Sequence, residues 1–168
     1  YFVPSWLSQA YQEFAKADVD YVMHVGDVSE GMSNRAGHIY ELDHIGFDQQ
    51  KDEAISQLSQ WDGPQYFIDG NHDRWFVKAG NAGALIVKDI CEAIPDATFL
   101  GHDEGNITIN GCVVKLWHGE DGSSYATSYR IQKLVEAFSP GEKPNVLLAG
   151  HVHKQGYWME RAVHCVSA

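Results

Sequence analysis

Apolar positions along the chain follow a helical rhythm in some stretches and a strand rhythm in others. After Pro4-Ser5, residues Trp6, Leu7, Ala10, Tyr11 and Phe14 share one face at i, i+3/i+4 spacing, predicting an amphipathic helix that ends near Asp18. Val19 to Gly26 reads as a strand, and His24 inside it as a packed or hydrogen-bonded core histidine. Glu30 to Gly46 is polar, glycine-spotted and aperiodic: either a functional loop or lid, or a solvated connection. A helical stripe (Phe47, Ala54, Ile55, Leu58) returns from Phe47 to Gln60, and Asp62-Gly63-Pro64 makes a turn. Tyr66 to Ile68 is a short buried strand ended by Gly70. Arg74 to Val77 starts a short helix; Ala82 to Ala93 forms a longer one, with Leu85, Ile86, Ile90 and Ala93 inward and Pro95 closing it. Thr98 to Leu100 is a strand; Ile107 to Ile109 and Val113 to Trp117 form a hairpin around Asn110-Gly111. Ser123 or Ser124 can cap a helix that turns Ile131, Leu134, Val135 and Phe138 to the core. Val146 to Ala149 is wholly apolar, as a strand buried on both faces would be, and Gly156–Met159 with Ala162–Val166 reads as a final hairpin. Helices alternate with strands first and hairpins dominate later, which predicts a mixed sheet, or two packed sheets with helices outside.

Composition narrows this picture. The 168 residues, 44% of them apolar, suffice for one domain over 1–168 with a real core. The chain opens on Tyr1 rather than methionine and stops without a closing element, so it is expected to be cut at both ends. No apolar stretch approaches the roughly 20 residues of a membrane span. Cys91, Cys112 and Cys165 are odd in number and widely spaced, which fits reduced thiols in an intracellular, cytoplasmic protein. A net charge of −11 disfavours a broad nucleic-acid surface, though a metal-lined cleft could still admit one phosphate.

The candidate chemistry lies at strand ends. Four apolar runs finish in a polar ligand type beside a glycine: Gly26-Asp27, Gly70-Asn71-His72-Asp73, His118-Gly119 and Gly150-His151-Val152-His153. Strand ends form the rim where open α/β sheets bind ligands, so these residues look like one shared metal site. Carboxylate, amide and imidazole donors without thiolate suit Mn, Fe, Zn or Ni. A two-metal site needs one bridging carboxylate, and Asp27 is the natural choice.

Taken together, these motifs resemble those of the calcineurin-like metallophosphoesterase superfamily over residues 26 to 153. The resemblance implies a four-layer α/β/β/α sandwich with two mixed sheets and a dinuclear site of divalent transition ions, where a water between the ions attacks phosphorus. Asp27 would bridge both ions, Asn71, His118 and His151 would complete one, and His153 would serve the other. His72 would be the proton donor and charge stabiliser at the leaving group, with Asp73 orienting its ring. Members of the superfamily open with a strand ending Asp-x-His that ligates the first ion. No Asp-x-His precedes Gly26 here, so that first strand is expected to be missing from the sequence. Arg74 could hold a phosphate oxygen, and Trp75 could stack on a base or pack under its helix. The acidity favours a small phosphoester or nucleotide substrate. The alternatives are a DNA-repair-type nuclease, or a non-catalytic binding or scaffolding member, which substituted ligands would mark; none is substituted from Asp27 onward.

Overall fold

Helix α1 (Pro4–Lys16) buries Tyr11 against Phe14 and Trp61, at ring-centroid distances of 6.1 and 5.9 Å. The computed structural model describes residues 4–78, 84–120 and 126–168. Strand β1 (Val22–Val25) is shorter than the expected Val19–Gly26. Its partner β2 (Gln65–Asp69) begins only after the turn at Pro64, so pairing starts at Val22↔Gln65 and residues 19–21 have nothing to pair with. Between them lies α2 (Phe47–Leu58), preceded by a 3-10 turn at His38–Glu41. Then come α3 (Trp75–Lys78) and α4 (Ile86–Ala93); the expected start of the latter at Ala82 lies outside the described residues.

Strand β3 (Ala97–His102) runs almost directly into β4 (Glu104–Ile109), both longer than their apolar cores. Asp103, with φ 60°, turns the chain from one sheet into the other. Asn110 and Gly111 both take positive φ, 50° and 81°, as a tight hairpin to β5 (Cys112–Trp117) requires. Helix α5 (Thr127–Ala137) follows, its expected caps Ser123 and Ser124 lying outside the described residues. Strands β6 (Val146–Ala149), β7 (Gly156–Glu160) and β8 (Val163–Ser167) end the chain.

These strands form two sheets, of order β1-β2-β3 and β4-β5-β6-β8-β7. The five-stranded sheet is mixed. The smaller one is parallel throughout, because each of its strands reaches the next through helices. Three apolar clusters define the layers. Phe67, Phe76, Ile86, Val87 and Ile90 pack the helices onto the smaller sheet. Ile68, Val114 and Leu116, with Met23, Val25 and Leu148, fill the space between the sheets. Ile131, Val135, Leu147, Val163 and Cys165 seat α5 on the outer face of the larger sheet. The order is therefore α/β/β/α, and β6 is covered on both faces as its apolar run implies. No described helix is long and apolar enough to cross a membrane.

Candidate metal centre

Parallel pairing gathers the site. In β1 and β2 the register Val25↔Ile68, and in β5 and β6 the register Trp117↔Ala149, bring strand ends level, so Asp27, Asn71, His118 and His151 leave the sheets together. Close approach requires glycine at two of these ends. A Cβ on Gly70 would run into the Asp27 carboxylate and come within 2.6 Å of the His118 ring, and one on Gly150 would lie 2.5 Å from the Val25 carbonyl. Asp27, His151 and His153 all take left-handed φ, at 54°, 71° and 50°. Such conformations are uncommon for residues with side chains and cluster at functional sites.

The donor set fits a cation. Asp27, His118 and His151 each offer a ligand atom, and these lie within 4.8 Å of one another. His118 is buried, and its Nδ1 lies 2.8 Å from the Val25 carbonyl, so Nδ1 carries the proton and donates there. Nε2 then faces Asn71 Oδ1 at 2.9 Å and Asp27 Oδ2 at 3.3 Å. A neutral imidazole would turn a lone pair onto two oxygen acceptors, so this spot calls for a positive charge, either a proton or a metal ion. The acid–base balance agrees. Burial pushes the Asp27 carboxyl up, but its hydrogen bonds from His118 and the His72 N–H outweigh that and hold it below the usual carboxylate range. Burial pulls His118 down, yet its bonds to Asp27 and Val25 leave it raised. His151 is lowered, by burial and then by the His118 charge. His153 is exposed and stands outside the three-residue group.

The turn after β2 is held from behind. Asp73 is buried, and its carboxylate accepts the N–H groups of Gly70, Val28 and Ser29 and the Ser29 hydroxyl, at 2.7–3.1 Å. Burial pushes that carboxyl up to about 6, against the pull of these four donors. The resemblance implied that Asp73 orients the His72 ring. Its acceptors instead fix the Gly70–Asp73 turn to the loop after Asp27, and the ring has other neighbours. The Glu30 carboxylate lies 3.6 Å from His72 Nδ1, and Trp75 stacks on the ring at 4.0 Å. Trp75, expected to stack on a base or pack under its helix, stacks here on His72 and lies edge-on to His38 at 5.5 Å. His24 is structural: it bonds Gln65 at 3.1 Å and stacks on Phe67 at 4.2 Å.

The model of the calcineurin-like phosphoesterase superfamily domain matches residues 5–167. The chain belongs to this family. No match was found among curated proteins. Among solved structures, the chain is similar to one described as a novel archaeal phosphodiesterase, with 15% identity and a TM-score of 0.59 over 96% of this chain and 73% of that one. It is also similar to TT1561 of Thermus thermophilus, with 12% identity and a TM-score of 0.51 over 96% of this chain and 81% of that one. At such identities the likeness is one of fold.

Beside the candidate ligands, the chain carries a charged junction that the strand-end motifs did not reveal. Arg74, expected on a phosphate oxygen, points its guanidinium at three carboxylates: Asp69 and Asp103 at 2.8 Å and Glu120 at 2.5 Å. Burial lowers the Arg74 pKa, but the Asp103 and Asp69 pairs outweigh it and leave it raised. Asp69 is buried and also meets His102 Nδ1 at 2.5 Å. A pocket of about 380 Å³ opens here, lined by His102, Asp103, Glu104, Trp117, Gly119 and Glu120. Asp69 and His102 were within reach of the strand-end reasoning, since each ends a strand of the parallel sheet. Glu30 carried no signal beyond its place in the long loop after Asp27.

Proposed function

We propose that the protein is a metal-dependent phosphoesterase that hydrolyses a small phosphoester or nucleotide. The observation carrying this reading is the convergence of acceptor atoms around His118 Nε2, which calls for a positive charge at the shared end of four strands. Asp27, Asn71, His118 and His151 would hold one divalent ion of the Mn, Fe, Zn or Ni type, and Asp27 with His153 a second, weaker one. Bound ions would polarise the phosphoryl oxygens and activate the attacking water. The chain's own contribution to bond cleavage is His72. Its Nδ1 faces Glu30, which leaves Nε2 for the leaving group. As water oxygen bonds to phosphorus, the bond to the leaving oxygen breaks, its electron pair stays on that oxygen, and His72, protonated on both nitrogens, supplies the Nε2 proton and is left as the neutral ring protonated on Nδ1. Asp73 keeps the turn carrying Asn71 and His72 in place. Three carboxylates line the neighbouring pocket, which supports a substrate with little negative charge over a nucleic acid. A cytoplasmic setting is part of the proposal, supported by the unpaired thiols Cys91, Cys112 and Cys165.

Metal analysis and turnover test this together. Asp27→Ala should lose bound manganese and activity in one step. His72→Ala should keep manganese and lose roughly 10²–10⁴-fold in turnover on phenyl phosphate esters, with a smaller loss on 4-nitrophenyl esters, whose leaving group needs little protonation. A dialysed protein that binds neither manganese nor zinc refutes the reading. One that binds them and cleaves neither ester is a binding module.

A further inference from the structure

The loop after Asp27 contains a buried histidine that the proposed chemistry does not use. His38 is 3% exposed, although the same 3-10 turn leaves its neighbour Tyr40 91% exposed. A histidine buried in a surface loop must have its ring nitrogens satisfied. Its Nδ1 lies 3.2 Å from the Ser33 N–H and accepts it. In the neutral ring this places the proton on Nε2, which lies 3.3 Å from Glu30 Oε1. That same Oε1 is the atom 3.6 Å from His72 Nδ1. Trp75 closes the group, stacked on His72 and edge-on to His38 at 5.5 Å.

We propose that His38 is a positioning residue for His72, acting through the Glu30 carboxylate that both rings face. The inference rests on the reading of His72 as proton donor. Exposure decides why Glu30 needs help: its side chain is 57% exposed, and a lone carboxylate there would trade a 3.6 Å contact for solvent and rotamer freedom at little cost. The His38 Nε2–H pins one oxygen from the buried side. The loop itself is fixed at Gly31, whose N–H and carbonyl both bond the buried Gln50 side chain, at 2.8 and 3.1 Å. A Cβ at Gly31 would run into the His72 carbonyl, so loop and turn are in direct contact. With Oε1 held, the Nδ1–H of His72 has a fixed acceptor, and Nε2 keeps a constant aim at the leaving oxygen.

The test uses the whole chain with manganese, phenyl and 4-nitrophenyl phosphate esters, and protein carrying ¹⁵N-histidine. His38→Phe keeps the ring edge against Trp75 but removes the donor to Glu30; His38→Gln keeps a donor. His38→Phe should leave KM and manganese binding unchanged while kcat on the phenyl ester falls roughly 10–100-fold, as for other outer partners of site residues. On the 4-nitrophenyl ester the fall should be under about threefold, and His38→Gln should recover to within about threefold of wild type. In the neutral ring, the form left once the Nε2 proton is given up, the ¹⁵N spectrum should show His72 protonated on Nδ1 in wild type and mixed tautomers in His38→Phe. Equal losses on both esters, or an unchanged His72 spectrum in His38→Phe, overturn the proposal. If His72→Ala keeps wild-type turnover on the phenyl ester, the proton-donor reading fails, and the spectrum alone still decides whether His38 fixes the ring.

Discussion

Replacing Arg74 with methionine separates two roles for this side chain, a phosphate ligand and a structural junction. Methionine keeps the aliphatic bulk and removes the cation facing Asp69, Asp103 and Glu120. The side chains of Asp103 and Glu120 are 43% and 35% exposed, so losing each of those pairs costs about 0–1 kcal/mol. Asp69 differs, its side chain being only 5% exposed. Removing one partner of a buried pair strands the other charge, at about 3–5 kcal/mol. His102 and the Asp103 N–H, at 2.5 and 3.1 Å, still hold the Asp69 carboxylate, which sets the expected total near the low end, at about 3 kcal/mol. With a urea slope of about 2 kcal/mol/M, the unfolding midpoint should fall by about 1.5 M with the slope unchanged. KM for a 4-nitrophenyl phosphate ester should stay at the wild-type value in the manganese-loaded protein, because the guanidinium already faces three carboxylates. A midpoint within 0.3 M of wild type, a bound set by the roughly ±10–15% extrapolation uncertainty, together with a raised KM, would refute the junction and restore Arg74 as a phosphate ligand.

His24 makes stability depend on acid. Burial lowers its pKa to about 4 against the partly compensating bond to Gln65, so the unfolded chain binds the proton more readily than the folded one. Its contribution is complete above about pH 6.5 and is lost as pH falls toward 4, by about 3 kcal/mol. Urea midpoints of wild type and His24→Gln, taken in EDTA across this range, should converge at low pH; parallel curves would contradict the assignment. Gly70→Ala should cost about 1–3 kcal/mol through overpacking against Asp27 and His118. It should also weaken manganese binding by roughly 10–100-fold in a calorimetric titration, and wild-type affinity would show that the strand ends can separate without harm.

The sequence by itself determined most of the elements and the candidate ligand residues. Helices were legible where one face is apolar at 3.6-residue spacing, as in α1 and α5, and β6 was legible because a strand covered on both faces has no polar positions. The candidate site was legible because Asp27, Asn71, His118 and His151 each stand beside a glycine at a strand end. Only the tertiary structure decided what partners supply. The start of β1 was fixed by where β2 begins, and β3 and β4 outgrew their apolar cores because backbone pairing, unlike side-chain burial, leaves no mark on composition. Arg74 could read as a phosphate ligand until Asp69, Asp103 and Glu120, 5, 29 and 46 positions away, were seen around it. The same holds for the neighbours of His72. The acid next to it in sequence, Asp73, faces the backbone of the turn, while the one beside its ring, Glu30, comes from a loop 42 residues earlier. Adjacent residues on a tight turn point their side chains in different directions, so contact at a site is set by how the chain returns, which sequence order does not encode.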